Sequence, residues 1–197
     1  MPESILEIGS VEHQRDFNAL DGFTRGYIEA LFFTDEEQLC EDSDGEREMP
    51  SVAFDMATME SRFVGGNSFG FADLATSALE SIIRDCEAFQ RTNAALLELA
   101  YARDYDAEQA GRDFWFTRNG HGVGYWDRKV LETDDSDLYE SLTAEMVDAG
   151  HNTPRWHAAL TKRNALKDKS LGEQLSNAAR ACGGRDSYVG SDGKVYL

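Results

Sequence analysis

No stretch of the 197-residue sequence holds 18 consecutive apolar residues, so no membrane-spanning helix is expected. The opening MPESILEIGS has neither a basic segment nor a long apolar one, and no secretory signal is expected from it. Cysteine is sparse and odd in number: Cys40, Cys86 and Cys182 lie 46 and 96 residues apart, with no CxxC. That pattern supplies neither a disulfide framework nor a zinc site, and a reducing cytoplasm is its simplest compartment. The four histidines, His13, His121, His151 and His157, include no i, i+4 pair and no HExxH, so a transition-metal centre has little to build on. No GxxxxGKS or GxxxxGKT loop occurs, and the glycine-rich NGHGVG lacks the strand–GxGxxG–helix setting of a nucleotide fold. The stretches EDSDGERE and TDDSD miss the register of a calcium loop. No cofactor and no metal are expected, and no internal repeat of useful length is present.

Positive charge is the next scarcity. Lysine and arginine total 19 against 37 aspartates and glutamates, a net charge of −18. The imbalance is concentrated: the first 150 residues carry a net −22 and the last 47 a net +4. A body of that charge repels phosphate backbones and anionic lipid, which argues against sequence-independent DNA binding by its surface. Two readings remain. The acids keep the protein soluble, or they meet the basic surface of a partner. At 41% hydrophobic and 11% aromatic residues there is apolar material for a core, so the chain is expected to fold.

Apolar spacing predicts helices over 11–33, with Phe17, Leu20, Tyr27 and Leu31 on the stripe and a break at Asp21-Gly22. Residues 34–50, TDEEQLCEDSDGEREMP, hold eight acids and one base and read as an exposed acidic loop. Irregular structure or one short helix is expected over 51–70. Residues 71–103 give the strongest helical signal, with a break near Thr92-Asn93. Two further helices are predicted at 133–149 and 154–168, the second starting at Pro154. Another follows at 170–182, with Ser170 as N-cap and Glu173 in the capping-box position. Residues 186–197 read as a closing hairpin turning at Asp192-Gly193.

Between these, GRDFWFTRNGHGVGYWDR (111–128) reads as a β-hairpin. Asn119-Gly120 is a strong two-residue turn signal, and pairing about it puts Phe114 and Phe116 on one face and Trp115 and Trp126 on the other. As a core hairpin it would pack its aromatics inward. As a recognition hairpin it would present Trp115, Arg118, His121, Trp126, Asp127 and Arg128, with His121 at the tip. A catalytic His121 would need an orienting acid and a nucleophile. Asp113 and Asp127 are its nearest acids, and sequence places neither partner, so an enzyme is not the favoured reading.

The acids form clusters: Asp35, Glu36, Glu37, Glu41, Asp42, Asp44, Glu46 and Glu48, then Asp134, Asp135 and Asp137. Carboxylates spaced along a surface can occupy a basic groove that normally holds nucleic acid, with steering that weakens in salt.

Three blocks resemble a family of small, mostly uncharacterised bacteriophage proteins. These are Asp85-Cys86 with Phe89, then Gly111 to Arg128, similar to that family's GHDFWLTRNGHGAGFWDR, then Tyr188 to Tyr196, similar to its YxGDDGxxY ending. GYIEALFFTDEE (26–37) resembles its N-terminal piece. The acidic stretch 38–70 is longer than the family pattern, and 129–169 looks inserted. The resemblance implies phage origin and residence in the cytoplasm of the infected host, and it carries no activity or catalytic residue.

The expected fold is α+β: a small antiparallel sheet of two hairpins packed on a long helix and several shorter helices. The expected organisation is one domain, 1–197, with an acidic loop or insert about 34–70 and a helical insert about 129–169. The expected function is an acidic phage accessory protein that binds a basic host protein, such as a nucleic-acid-handling or defence factor, and inhibits or modulates it. The alternative is a nucleic-acid-associated module using hairpin 113–128 and the basic C-terminal region. Direct nucleic-acid binding is the weaker of the two, no membrane contact is expected, and the sequence does not give the oligomeric state.

Overall fold

Reciprocal capping starts the first helix. The computed structural model describes residues 8–48, 51–55, 60–64, 67–132, 136–167 and 169–197. At the head of α1 (Val11–Ala19), the Ser10 hydroxyl accepts from the His13 amide while the His13 ring accepts from the Ser10 amide. Asp21 caps α2 (Gly22–Asp42) by accepting from the Thr24 amide, so Asp21-Gly22 separates two helices as its composition suggested.

Helix α2 does not stop at the acids. Tyr27, Ile28, Leu31, Phe32 and Leu39 are all buried. The inward stripe therefore continues past Asp35, and its burial outweighs the mutual repulsion of the acids and carries the helix to Asp42. Residues 34–42 are helix rather than loop. Beyond them, β1 (Ser51–Asp55) pairs antiparallel with β2 (Glu60–Val64), where irregular structure or a short helix was expected. Helices α3 (Thr76–Thr92) and α4 (Ala94–Tyr101) are interrupted at Asn93, whose backbone amide and side-chain amide both donate to the Phe89 carbonyl.

The expected hairpin at 113–128 is absent. Asp106 caps α5 (Ala107–Asn119) through a 2.7 Å bond from the Gln109 amide. At the other end Gly120 adopts φ +73°, and Phe116 O accepts from the amides of both Gly120 and His121. Asn-Gly is thus a left-handed helix stop here rather than a hairpin turn. The chain continues in two single turns of 3-10 helix, Tyr125–Asp127 and Lys129–Leu131. Residues 113–118 are buried without exception, because α5 lies beneath α2, α8 (Leu171–Ala181) and the 125–127 turn. A helix covered on every side shows no polar face, and its alternation of aromatics imitates a strand.

The fold is therefore helical. Among the described residues there are eight α-helices and two separate two-stranded pairs, which overturns the α+β expectation of a two-hairpin sheet. The second pair is the closing hairpin, β3 (Tyr188–Val189) with β4 (Val195–Tyr196). Helices α2 and α5 touch backbone to backbone. A methyl group on Gly26 would lie 1.9 Å from the Glu108 carbonyl oxygen, and one on Gly111 would lie 1.8 Å from that of Phe23. This approach lets Phe23, Tyr27, Phe89, Phe114 and Tyr125 stack into one aromatic core.

Helices α6 (Ser136–Ala149) and α7 (Pro154–Lys167) pack chiefly on each other. Leu142 and Ala159 are buried there, outside the main apolar cluster. Ser170 caps α8 through the Glu173 amide, as its spacing indicated. No helix among the described residues is long and apolar enough to cross a membrane.

Candidate functional site

The last turns of α2 and the turn that follows them present the acids. Glu37, Glu41, Asp42, Asp44, Glu46 and Glu48 are exposed, and Asp35 and Glu36 are half-buried. Arg47, the one base in the stretch, turns inward: it bonds Asp73 at 2.6 Å and Asn67 at 2.9 Å and lies over the Phe69 ring. Among the described residues, Glu37, Glu41, Asp44, Glu46 and Glu48 pair with no base. Glu41 and Asp42 occupy the last turn of α2, which contains no basic residue. The helix dipole disfavours a carboxylate at that end by about 0.3–1 kcal/mol. Of the second cluster, Asp137 stands exposed in the first turn of α6, where an acid favours the helix N-terminus, and Asp134 and Asp135 lie outside the described residues. No group of three or more His, Cys, Asp or Glu among the described residues could hold a metal ion.

Beside this face lies a groove of about 490 Å³, walled by Asp35, Gln38 and Asp42 of α2, by Asn119 and His121 at the end of α5, and by 184–187. Arg118 anchors its base. Its Nε donates to Gly183 O, Nη1 to the Tyr27 hydroxyl and Asp85, and Nη2 to Cys182 O. Cys182 is the C-cap of α8 and Gly183 the residue after it, so a buried cation from α5 closes the end of a neighbouring helix. Arg185 grips the same Asp85 from outside with two bonds of 3.1 and 3.3 Å.

The groove holds a serine, an aspartate and a histidine in the wrong order for hydrolysis. Ser187 Oγ donates to Asp35 at 2.6 Å, while His121 Nε2 stands 3.9 Å from the other oxygen of Asp35. A nucleophilic serine needs the imidazole between itself and the acid. Here the carboxylate occupies the middle, and it orders the 183–187 segment against α2.

The residues proposed for the hairpin separate. Trp115 is fully buried, and its Nε1 donates to Thr34 Oγ1 at 2.8 Å. The indole therefore has no face on which a base could stack. Arg118 is buried as described, and Arg128 forms a two-point ion pair with the buried Asp113. Tyr105 also donates to Asp113, and burial together with that carboxylate pushes its phenol far up. His121, Trp126 and Asp127 remain at the surface. Trp126 and Asp127 line a separate groove of about 210 Å³ with Leu131, Tyr139 and Lys167.

Asp85, Arg185, Gln38 and Ser187 enter the site without having been singled out for it by sequence reading. Only Asp85, through its place in the phage-like block, carried any signal. No protein family, curated protein or solved structure matches the chain.

Proposed function

We propose that the protein is an acidic accessory factor, of phage origin by its resemblance, that binds a basic surface on a host protein and inhibits or modulates it in the infected cell's cytoplasm. One observation carries this reading. Among the described residues, Glu37 and Glu41 on the final turns of α2 pair with no base, at the end where the helix dipole disfavours carboxylates, and Arg47, the base that follows the helix, is turned inward to Asp73. Acids placed against the helix's own electrostatics give the fold nothing, and a rigid row of them gives a nucleic-acid-binding groove a phosphate-like partner. The helix keeps that row ordered before contact, which lowers the entropic cost of binding.

The test is a capture experiment from host lysate at low salt with a charge-reversed control, Glu37→Lys/Glu41→Lys/Asp44→Lys. Basic nucleic-acid-binding proteins that elute with salt, that double-stranded DNA displaces and that the control fails to retain support the reading. Retention that ignores salt, DNA and the charge reversal sinks it. The stacking alternative keeps Trp126, exposed beside Lys167, and loses Trp115, which is buried.

A further inference from the structure

A different groove, of about 430 Å³, runs between α3 and α8. Phe89 and Phe114, stacked with centroids 4.1 Å apart, lie at its floor, and Ala88, Ala178 and Ala181 form its walls. The volume falls in the range of about 300–1,000 Å³ typical of small-molecule sites, and an apolar lining with few polar groups is their usual chemistry.

Arg185 supplies the polar end. Arg118 and Arg185 share the single carboxylate of Asp85, so the charged lining of this groove is net positive. The groove beside α2, with Asp35, Asp42 and Asp186 against the same two arginines, is net negative. Arg118 spends its donors on carbonyls, Tyr27 and Asp85, and its side chain is only 2% exposed. Arg185 is 37% exposed, and among the described residues its Nη1 donors have no partner.

We propose that this groove binds a monocarboxylate with an apolar body. The carboxylate takes the free Nη1 edge of Arg185, and the body lies along Ala178 and Ala181 above the phenylalanine floor. One net positive charge matches one carboxylate, and the −18 chain around it repels ligands of higher negative charge. A free arylalkanoate and the C-terminal carboxylate of an apolar peptide share this chemistry. The assignment is independent of the acidic face of α2.

An amide-resolved NMR titration of the full chain tests it with four probes: 4-phenylbutyrate, 4-phenylbutanol, acetyl-leucyl-phenylalanine and its C-terminal amide. At least one acid is expected to give saturable shifts at Ala88, Ala178 and Ala181 at millimolar concentration or below, with its neutral counterpart about tenfold weaker. Which acid binds more tightly identifies the source. Arg185→Gln is expected to reduce the acid to the affinity of its neutral counterpart, and Arg185→Lys to retain part of the preference. Ala178→Leu, which fills the groove, is expected to remove binding of both. Should Ala178→Leu fail to fold, the half-exposed Arg185→Gln still decides the matter. No saturable shift with either acid, equal affinity for acid and neutral probe, or a preference that survives Arg185→Gln overturns the proposal.

Discussion

Arg118 and Asp85 meet at 3.0 Å, with the arginine side chain 2% exposed and the aspartate 26%. This pair ties α5 to α3 and, through the carbonyls of Cys182 and Gly183, to the end of α8. Removing Asp85 leaves the buried Arg118 charge without its carboxylate, whereas removing Arg118 leaves Asp85 on Arg185 but strips the Cys182 and Gly183 carbonyls of their donors. Asp85→Asn is expected to lower stability by about 2 kcal/mol, softened by its partial exposure, and Arg118→Met by about 3 kcal/mol. Urea titrations followed by circular dichroism measure both. Losses under about 0.5 kcal/mol would show that the pair is incidental.

The contact between α2 and α5 gives a sharper expectation. Gly111→Ala puts a methyl group 1.8 Å from a backbone oxygen, which no side-chain movement relieves. The helices must separate, and the loss is expected to reach about 3 kcal/mol, at the upper end for overpacking. Gly120→Ala, where φ is +73° and open space surrounds the position, should cost only about 1 kcal/mol. The ranking of the two in thermal melts is the check, and equal losses would contradict the close approach.

The buried phenols set an alkaline limit. Burial pushes Tyr27, Tyr105 and Tyr125 well above the ordinary phenol value and Tyr101 up to about 12, and it raises the Cys86 thiol as well. The native state then holds protons that the unfolded chain releases near pH 9–10. Stability is flat below that range and falls as pH rises through it, by about 1.4 kcal/mol per pH unit for each group. Urea midpoints at pH 8, 9, 10 and 11 should drop with increasing slope. Phenolate absorbance of the buried Tyr27, Tyr105 and Tyr125 should appear together with unfolding. Smooth titration of all seven tyrosines near pH 10 in a folded chain would contradict this.

Excision of the α6–α7 pair should leave the core intact. The two helices pack mainly on each other, Leu142 and Ala159 stand outside the main cluster, and the Leu131 Cβ approaches the position of a Cβ on Gly172 to 3.3 Å. Replacing residues 134–168 with a short Gly-Ser linker is expected to keep cooperative unfolding and the near-ultraviolet signal of Trp115. Loss of both would show that the pair is integral to the fold.

Several of these features were legible in the sequence, and the failures have common causes. The Ser170 cap, the Asp21-Gly22 break, the Asn93 interruption and the Asp192-Gly193 turn were readable because each is a local signal made by a few residues. Helix α5 was misread because Asn-Gly serves both as a hairpin turn and as a left-handed helix stop, and because burial of 113–118 on all sides erased the helical period. The first half of the expected acidic loop, 34–42, is helix although its composition reads as loop: Leu39 continues the stripe of Leu31 and Phe32 at helical spacing and is fully buried, while 43–47 are turn and bend. The meeting of Asp85 with Arg118 and Arg185 joins segments up to 100 residues apart, and no local pattern encodes that.

The central claim is that the acids on the last turns of α2 serve binding rather than folding, and Glu41→Lys separates the two. A cation there suits the helix dipole, so stability should rise by about 0.3–1 kcal/mol. In the same variant, low-salt retention of the basic host protein captured by the wild-type chain should weaken. Measured together, a more stable protein that binds less supports the account. A less stable protein that binds its partner unchanged contradicts it.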